Sequence, residues 1–263
     1  MGNIVSEWLH DASMLWLAVV TFGAMVLVTA AIYGAVIALA GGSRGSAFKA
    51  VSPGLLPPMG LVFGLLVGFL AAQVWGDGDR AQTAVNREAS SLRAVVLLSA
   101  EFPGRPEARL DGLIRRHVHD AVAREWPEMA RRGASLSVVP GPLANALKLA
   151  LALPARSPGQ VVAQREIVSS LEDALDARRQ RIILSHSSLN SAKWGALFAL
   201  AVLTLFAIAF VHSGNRLSTA IAMGLFASAA AVCIVMIAAQ DRPFAGPFRV
   251  RPTVLVQVEP TQR

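Results

Sequence analysis

The sequence predicts an all-α, polytopic membrane protein with four transmembrane helices and a helical cytoplasmic region between the second and the third. Three observations carry that prediction: the composition, four uncharged apolar stretches, and a lopsided distribution of cations around them. Of 263 residues, 54% are hydrophobic and only 16% charged, with a mean hydropathy of +0.51 and a formal net charge of +7. Such a chain is too apolar to be disordered and carries too little charge for an ordinary soluble domain. The single cysteine, Cys233, lies inside an apolar run, which excludes an intramolecular disulfide and a cysteine metal cluster.

The four stretches are Leu15–Ala40, Leu55–Trp75, Trp194–Val211 and Ser218–Ala239, and none contains Asp, Glu, Lys or Arg. Each is close to or above the ~20 residues that cross a ~30 Å hydrocarbon core. In the second, Pro53, Pro57 and Pro58 are expected to delay the helix until about Met59. A cleaved signal peptide fits the first stretch poorly, because no Lys or Arg precedes it and the apolar run is too long.

Orientation follows from the cations near the span ends, since cationic flanks stay cytoplasmic. One side holds Arg80, Arg87, Arg93, Arg178, Arg179, Arg181, Lys193, Arg242, Arg249 and Arg251, and the other only Arg44, Lys49 and Arg216. This places both termini in the cytoplasm. Trp16, Trp75 and Trp194 then fall at the cytoplasmic ends of the first three spans, where indoles favour the headgroup layer. The expected organisation is a transmembrane pair over 1–75, a cytoplasmic region over 76–192, a second pair over 193–240 and a cytoplasmic tail over 241–263.

The central region reads as helical. Val85, Ala89, Leu92, Val96 and Ser99 recur at three- and four-residue steps within Ala81–Ala100, ahead of Pro103 and Pro106. Pro106–Arg132 offers Leu110, Leu113, Ile114, Val118 and Val122 on one side, with a kink or break at Pro127. Leu143–Leu153 reads as a short apolar helix, on the membrane surface or within a bundle. In Gln160–Asn190, Val161, Val168, Leu175, Ile182 and Leu189 recur every seventh residue, a stripe that demands a partner. The companion position (Gln164, Leu171, Arg178, Ser185) is mixed, which favours packing in a bundle over a free coiled coil. No proline or glycine separates this stripe from the third span, so one helix is expected to run from cytoplasm through membrane. The tail Arg249–Glu259, rich in Val, containing Pro252 and followed by Pro260, is expected to be extended.

Little in this pattern is catalytic. His117 and His119 would point about 200° apart on a helix, so they do not share one ion and read as solvated or interface histidines. Thirteen acidic and sixteen basic side chains alternate between Gly76 and Ala192, a solvated helical surface and not a nucleic-acid patch. There is no phosphate loop, dinucleotide fingerprint, nucleophile elbow or metalloprotease helix, so neither an enzyme nor a cofactor is expected. Spans without ionisable residues also lack the usual mark of a proton relay or voltage sensor.

The second span is the informative one. Gly60, Gly64 and Gly68 form a ladder of small residues on one face, which lets another backbone approach closely. Val62, Leu66, Phe69 and Gln73 fall on the opposite face, toward lipid, a neighbour or a pore; an apolar constriction can gate by dewetting.

Two short signatures then bear on identity: Asn86-Arg87-Glu88-Ala89 after the second span, and Asp241-Arg242-Pro243-Phe244-Ala245-Gly246 after the fourth. Together with the layout, they resemble the bestrophin-like domain family of bacterial membrane proteins, remotely related to bestrophins, which are pentameric anion channels with cytoplasmic termini. The resemblance implies a multi-pass protein of the bacterial inner membrane, surrounded by lipid, assembled as a homo-oligomer and passing anions. The tail would wrap along the cytoplasmic region or a neighbour. The bestrophin pore residues cannot be matched here one by one. Read locally, Arg242 complements the dipole at the end of the fourth span and Pro243 stops that helix. A bridge from Arg87 to Asp241 would clamp cytoplasmic helices to the membrane ends; the alternative is an anion vestibule made by Arg87 and Arg242.

The reading is therefore a four-span, oligomeric inner-membrane protein that conducts anions, against a non-conducting scaffold or sensor whose cytoplasmic helices bind a partner. Reporter fusions after Asp79, after Arg156 and at the C-terminus should read cytoplasmic, and a fusion between Gly41 and Ser52 external. An external signal from the central region would overturn the topology.

Overall fold

The computed structural model describes residues 14–40 and 53–258, and among these the chain is helical with no strand. Arg44 and Lys49 lie outside the described residues. The elements are α1 (Met14–Ala40), α2 (Leu56–Ser99), α3 (Arg105–Asp120), α4 (Trp126–Ala130), α5 (Gly141–Leu151), α6 (Pro158–Ser185), α7 (Ser191–Val211), α8 (Arg216–Gln240) and α9 (Thr253–Val256). Four of them, α1, α2, α7 and α8, are long and apolar enough to cross a membrane.

The chain divides into two compact units, Met1–Trp75 with Ser188–Asp241 and Gly76–Ser187 with Arg242–Arg263. The first has an apolar core drawn from all four long helices, including Ile32 and Val36 of α1, Phe63 and Leu70 of α2, Leu197 and Leu205 of α7, and Met223 and Ile234 of α8. Phe63 meets Phe226 edge to face, ring centroids 5.2 Å apart. On α8, Ala227, Ala230 and Ala231 are buried, and such small side chains let helices approach where apolar burial alone gives no drive for association. Asn215 starts α8 as an N-cap, its side chain accepting from the backbone N–H of Leu217 and of Ser218.

The second unit closes around Val85 and Leu92 of α2, Leu110 and Ile114 of α3, Leu143 and Ala146 of α5, and Ile167 and Leu171 of α6. The helix at Leu143 thus packs into the bundle through Leu143, Ala146 and Ala150. Between α3 and α4 lie five residues of wider π-helical backbone, Ala121–Glu125. Pro127 follows at once in the first turn of α4, so the change from α- to π-helical backbone falls where its ring and missing N–H would otherwise interrupt the helix.

Several expectations are corrected. α2 starts at Leu56, with Pro57 and Pro58 inside its first turn, where their missing N–H groups cost nothing. The long helix that joins the two units is α2, not the stripe leading into the third span. Its 44 residues span about 66 Å at 1.5 Å each, roughly twice a hydrocarbon core, so only its first half can lie in lipid. The stripe instead stops at Ser185 and α7 begins afresh at Ser191, with Asn190 accepting from the N–H of Lys193 at 2.9 Å. The Ser185 hydroxyl donates to the carbonyl of Ile182 at 2.6 Å at the end of α6, and Asn190 caps the start of α7, so the break is made without proline or glycine.

The buried stripe of α6 also differs from the heptad. Ile167, Leu171, Ala174, Arg178, Arg181, Ile182 and Ser185 are buried, while Val161 is exposed and Leu189 is outside the helix. The mixed companion position therefore faces the core. In the tail, Thr253–Val256 forms a helical turn that buries Leu255, in place of an extended chain.

Candidate functional site

The first half of α2 turns three surfaces in different directions. Phe63, Leu70 and Val74 are buried against the protomer's own helices. At about 100° per residue, Gly60, Gly64 and Gly68 lie on one flank of that buried stripe. All three are exposed, and a Cβ at any of them would meet nothing within 4 Å. Away from the core stand Leu61, Leu65 and Phe69, exposed by 64%, 53% and 71%, with Val62 beside them.

The row Val62, Leu66, Phe69 and Gln73 is thus divided. Val62 and Phe69 are exposed, whereas Leu66 packs partly into the core and Gln73 is half-buried. Lys193 Nζ donates to Gln73 Oε1 at 2.6 Å, which ties the end of the apolar stretch to the first turn of α7. A full apolar face at Leu61 and Leu65 escaped the sequence reading, because a uniformly apolar span gives no periodicity from which to tell the inner from the outer face.

The signature residues acquire structural roles. Asn86 Oδ1 accepts from Gln82 Nε2 on the helix surface. Arg87 pairs with Asp173 of α6 at 2.6 Å, joining α2 to α6, in place of the expected bridge to Asp241. Asp241 Oδ1 accepts from the backbone N–H of Leu189 at 2.7 Å. Arg242 is half-buried. Phe244 is buried edge to face against Trp126, ring centroids 5.8 Å apart. Pro243 has no N–H to give, but its carbonyl accepts from Val250 at 2.8 Å, and Trp126 Nε1 donates to the carbonyl of Val250. Gly246 turns this loop at φ 81°, a backbone region that side chains disfavour.

Glu88 is the most consequential of them. It is wholly buried on α2, and Arg181 of α6, also wholly buried, grips it with two bonds: Nε to Oε2 at 2.8 Å and Nη2 to Oε1 at 3.1 Å. His117 Nε2 lies 2.9 Å from Glu88 Oε1. Arg181 Nη2 also donates to Glu125 Oε2 at 2.9 Å, and Arg178 holds the other oxygen of Glu125 at 2.6 Å. The Arg181 guanidinium stands 4.7 Å over the ring of Trp126. Two carboxylates and two guanidiniums so balance inside the core, linking α2, α3, the π-helical turn and α6.

Burial alone would raise the Glu88 carboxyl, but Arg181 and the bond from His117 outweigh it and hold the pKa at about 2 against an ordinary 4.5. The same pairing raises Arg181 against the opposing effect of burial. An ionised Glu88 only accepts, so the hydrogen on His117 sits on Nε2. His117 is therefore a buried donor and not a solvated residue, while His119 is exposed. Arg178 and Arg181 lie on the buried side of α6, where each requires an acidic partner.

These contacts have a measurable acid limb. Glu88, with its lowered folded pKa, contributes stability that is complete above pH 4.5 and is lost as the pH falls toward 2. Glu88→Gln should lower the unfolding free energy of the detergent-solubilised protein by roughly 3–5 kcal/mol at neutral pH, since it leaves buried charge uncompensated. The gap between wild type and variant should shrink on acidification through that window; a constant gap would contradict an ionised Glu88.

Comparison with known proteins completes the picture. A family model for the bestrophin-like domain matches residues 23–255. A crystal structure of a bacterial bestrophin homologue from Klebsiella pneumoniae bearing one substitution has a TM-score of 0.69 at 9% identity, covering 94% of this chain and 98% of that one. A second crystal structure of a bacterial bestrophin homologue from Klebsiella pneumoniae has a TM-score of 0.67 at 13% identity, covering 92% and 95%. No curated protein matches the chain. At these identities the structural likeness establishes the fold, and the domain match establishes kinship: the chain belongs to the bestrophin-like domain family.

Proposed function

We propose that this protein is an oligomeric anion channel of the bacterial inner membrane, with both termini cytoplasmic and a conduction path on the oligomer axis. The observation that carries the proposal is the uncovered apolar row Leu61, Leu65 and Phe69 on the second span, which the protomer leaves bare. Among the described residues one copy offers four spans, too few to enclose a hydrated path with side chains to spare. A path therefore needs several copies, each turning one helix inward. The family supports the same reading, because bestrophins are anion channels.

α2 has the surfaces that such an assembly requires. Its buried stripe fixes it to its own protomer, and its glycine flank accepts a neighbouring helix at close range. The remaining apolar face, with Val62 and Phe69 of the original row and Leu61 and Leu65 added, forms the constriction. A narrow ring of Leu and Phe side chains resists wetting, so the closed state is the resting one and widening it admits ions. Leu66 and Gln73 support this face from behind.

The purified protein in planar bilayers should pass anions in preference to cations, and Leu65→Ala with Phe69→Ala should raise the current several-fold without changing subunit number. An intact oligomer that carries no ions in either form would establish the non-conducting scaffold instead.

A further inference from the structure

In the second unit, α3 and α5 pack together and leave a groove of about 630 Å³ beside their seam. Its walls are two stripes with matched helical spacing: Arg109, Gly112 and Arg116 on α3, and Asn145 and Lys148 on α5. Leu113 and Leu149 supply apolar lining, and no carboxylate lines the groove. Three cations thus share one open cavity.

Their surroundings do not neutralise them. Elsewhere in the unit, Arg87 pairs with Asp173, Arg124 with Asp120 and Arg179 with Asp176. Asp120, the acidic residue one turn beyond Arg116, is thus engaged with Arg124. Arg109, Arg116 and Lys148 have no ion-pair partner among the described residues. Arg116 is nevertheless held in place: its Nε donates to the carbonyl of Gly112 at 3.3 Å, which leaves the outer edge of the guanidinium available.

Gly112 sharpens the point. A glycine inside a helix costs stability, and here no packing demands it, since a Cβ would meet nothing within 4 Å. What its missing side chain does is keep the groove open between Arg109 and Arg116. An open cavity with two guanidiniums, an ammonium and an amide suits phosphoryl oxygens, which guanidiniums bind through paired hydrogen bonds.

We propose that the groove between α3 and α5 binds a compact, phosphate-bearing polyanion. Arg109, Arg116 and Lys148 neutralise its phosphoryl oxygens and Asn145 donates a further hydrogen bond. The proposal does not rest on the reading of the protein as a channel.

The test is calorimetric titration of the full chain, in nanodiscs of zwitterionic lipid, with inorganic pyrophosphate. Saturable binding is expected, weakened at least about tenfold by Arg109→Ala with Lys148→Ala. Gly112→Leu, which fills the groove without changing charge, should abolish it, whereas Arg165→Ala, at an exposed position of α6, should leave it intact. Repeating the titration in nanodiscs containing phosphatidylglycerol separates the sources. Weaker apparent pyrophosphate binding in the wild type assigns the groove to a lipid headgroup, and unchanged binding assigns it to a free phosphate compound. No saturable binding, or binding that survives Gly112→Leu, overturns the proposal.

Discussion

A carboxylate without solvent must be matched where it stands, and Glu88 is matched from three directions. Arg181 grips it through both oxygens, His117 donates to one of them, and Arg181 in turn spans to Glu125, which Arg178 completes. Such a network adds little stability over a well-packed apolar core, but it punishes any other arrangement, because each displaced partner leaves a buried charge unpaired. That asymmetry fixes the register of α2 against α6 and the depth of α3. The π-helical turn is part of the same constraint. Glu125 closes it and Trp126, stacked under Arg181, follows it, so the backbone widens where the acid and the indole must both face one guanidinium.

The second signature attaches to the same place. Phe244 packs on Trp126, and the loop beyond it returns through the bonds from Val250 to Pro243 and from Trp126 to Val250. The two strings of residues that suggested kinship therefore converge on one aromatic ring: Glu88 reaches it through Arg181, and Phe244 touches it directly. Among the described residues, the polar contacts of the first unit include Lys193 with Gln73 and Asp241 with the Leu189 backbone, while its core is apolar. Its helices meet through small and apolar side chains, and the second span leaves both its glycine flank and its Leu and Phe face uncovered. A helix so exposed within one copy is consistent with an assembly in which neighbours supply the missing contacts.

Much of this was legible in the residues. The four spans follow from length and the absence of charge, and the buried faces at Val85, Leu92, Leu110 and Ile114 follow from helical spacing. The family followed from two short strings. The failures are physical as well. The break after Ser185 was not legible because a serine bonded back to its own helix and an asparagine capping the next one are weaker marks in sequence than proline or glycine. The continuity of α2 was not legible because the end of the apolar run at Trp75 marks where hydropathy changes and not where a helix stops; Arg80 bonds both the Gly76 carbonyl and Asp77 within the uninterrupted helix. The α6 stripe was legible in part, at Val168, Leu175 and Ile182, and a search for apolar repeats cannot recognise Arg178 and Arg181 as interior residues. Their burial depends on Glu88 and Glu125, more than fifty positions away. The inner and outer faces of the second span were indistinguishable for the opposite reason, since everything on it is apolar.

The dependence of the second unit on the Glu88–Arg181 contact is best tested by a double-mutant cycle. Unfolding free energies of the full chain in detergent would be measured for Glu88→Gln, Arg181→Met and the pair together. If the contact organises the core, the double variant should be far less destabilised than the sum of the two single ones, a coupling well above ~1 kcal/mol. Strictly additive losses would show that the two side chains are buried side by side without depending on one another, and would contradict the account.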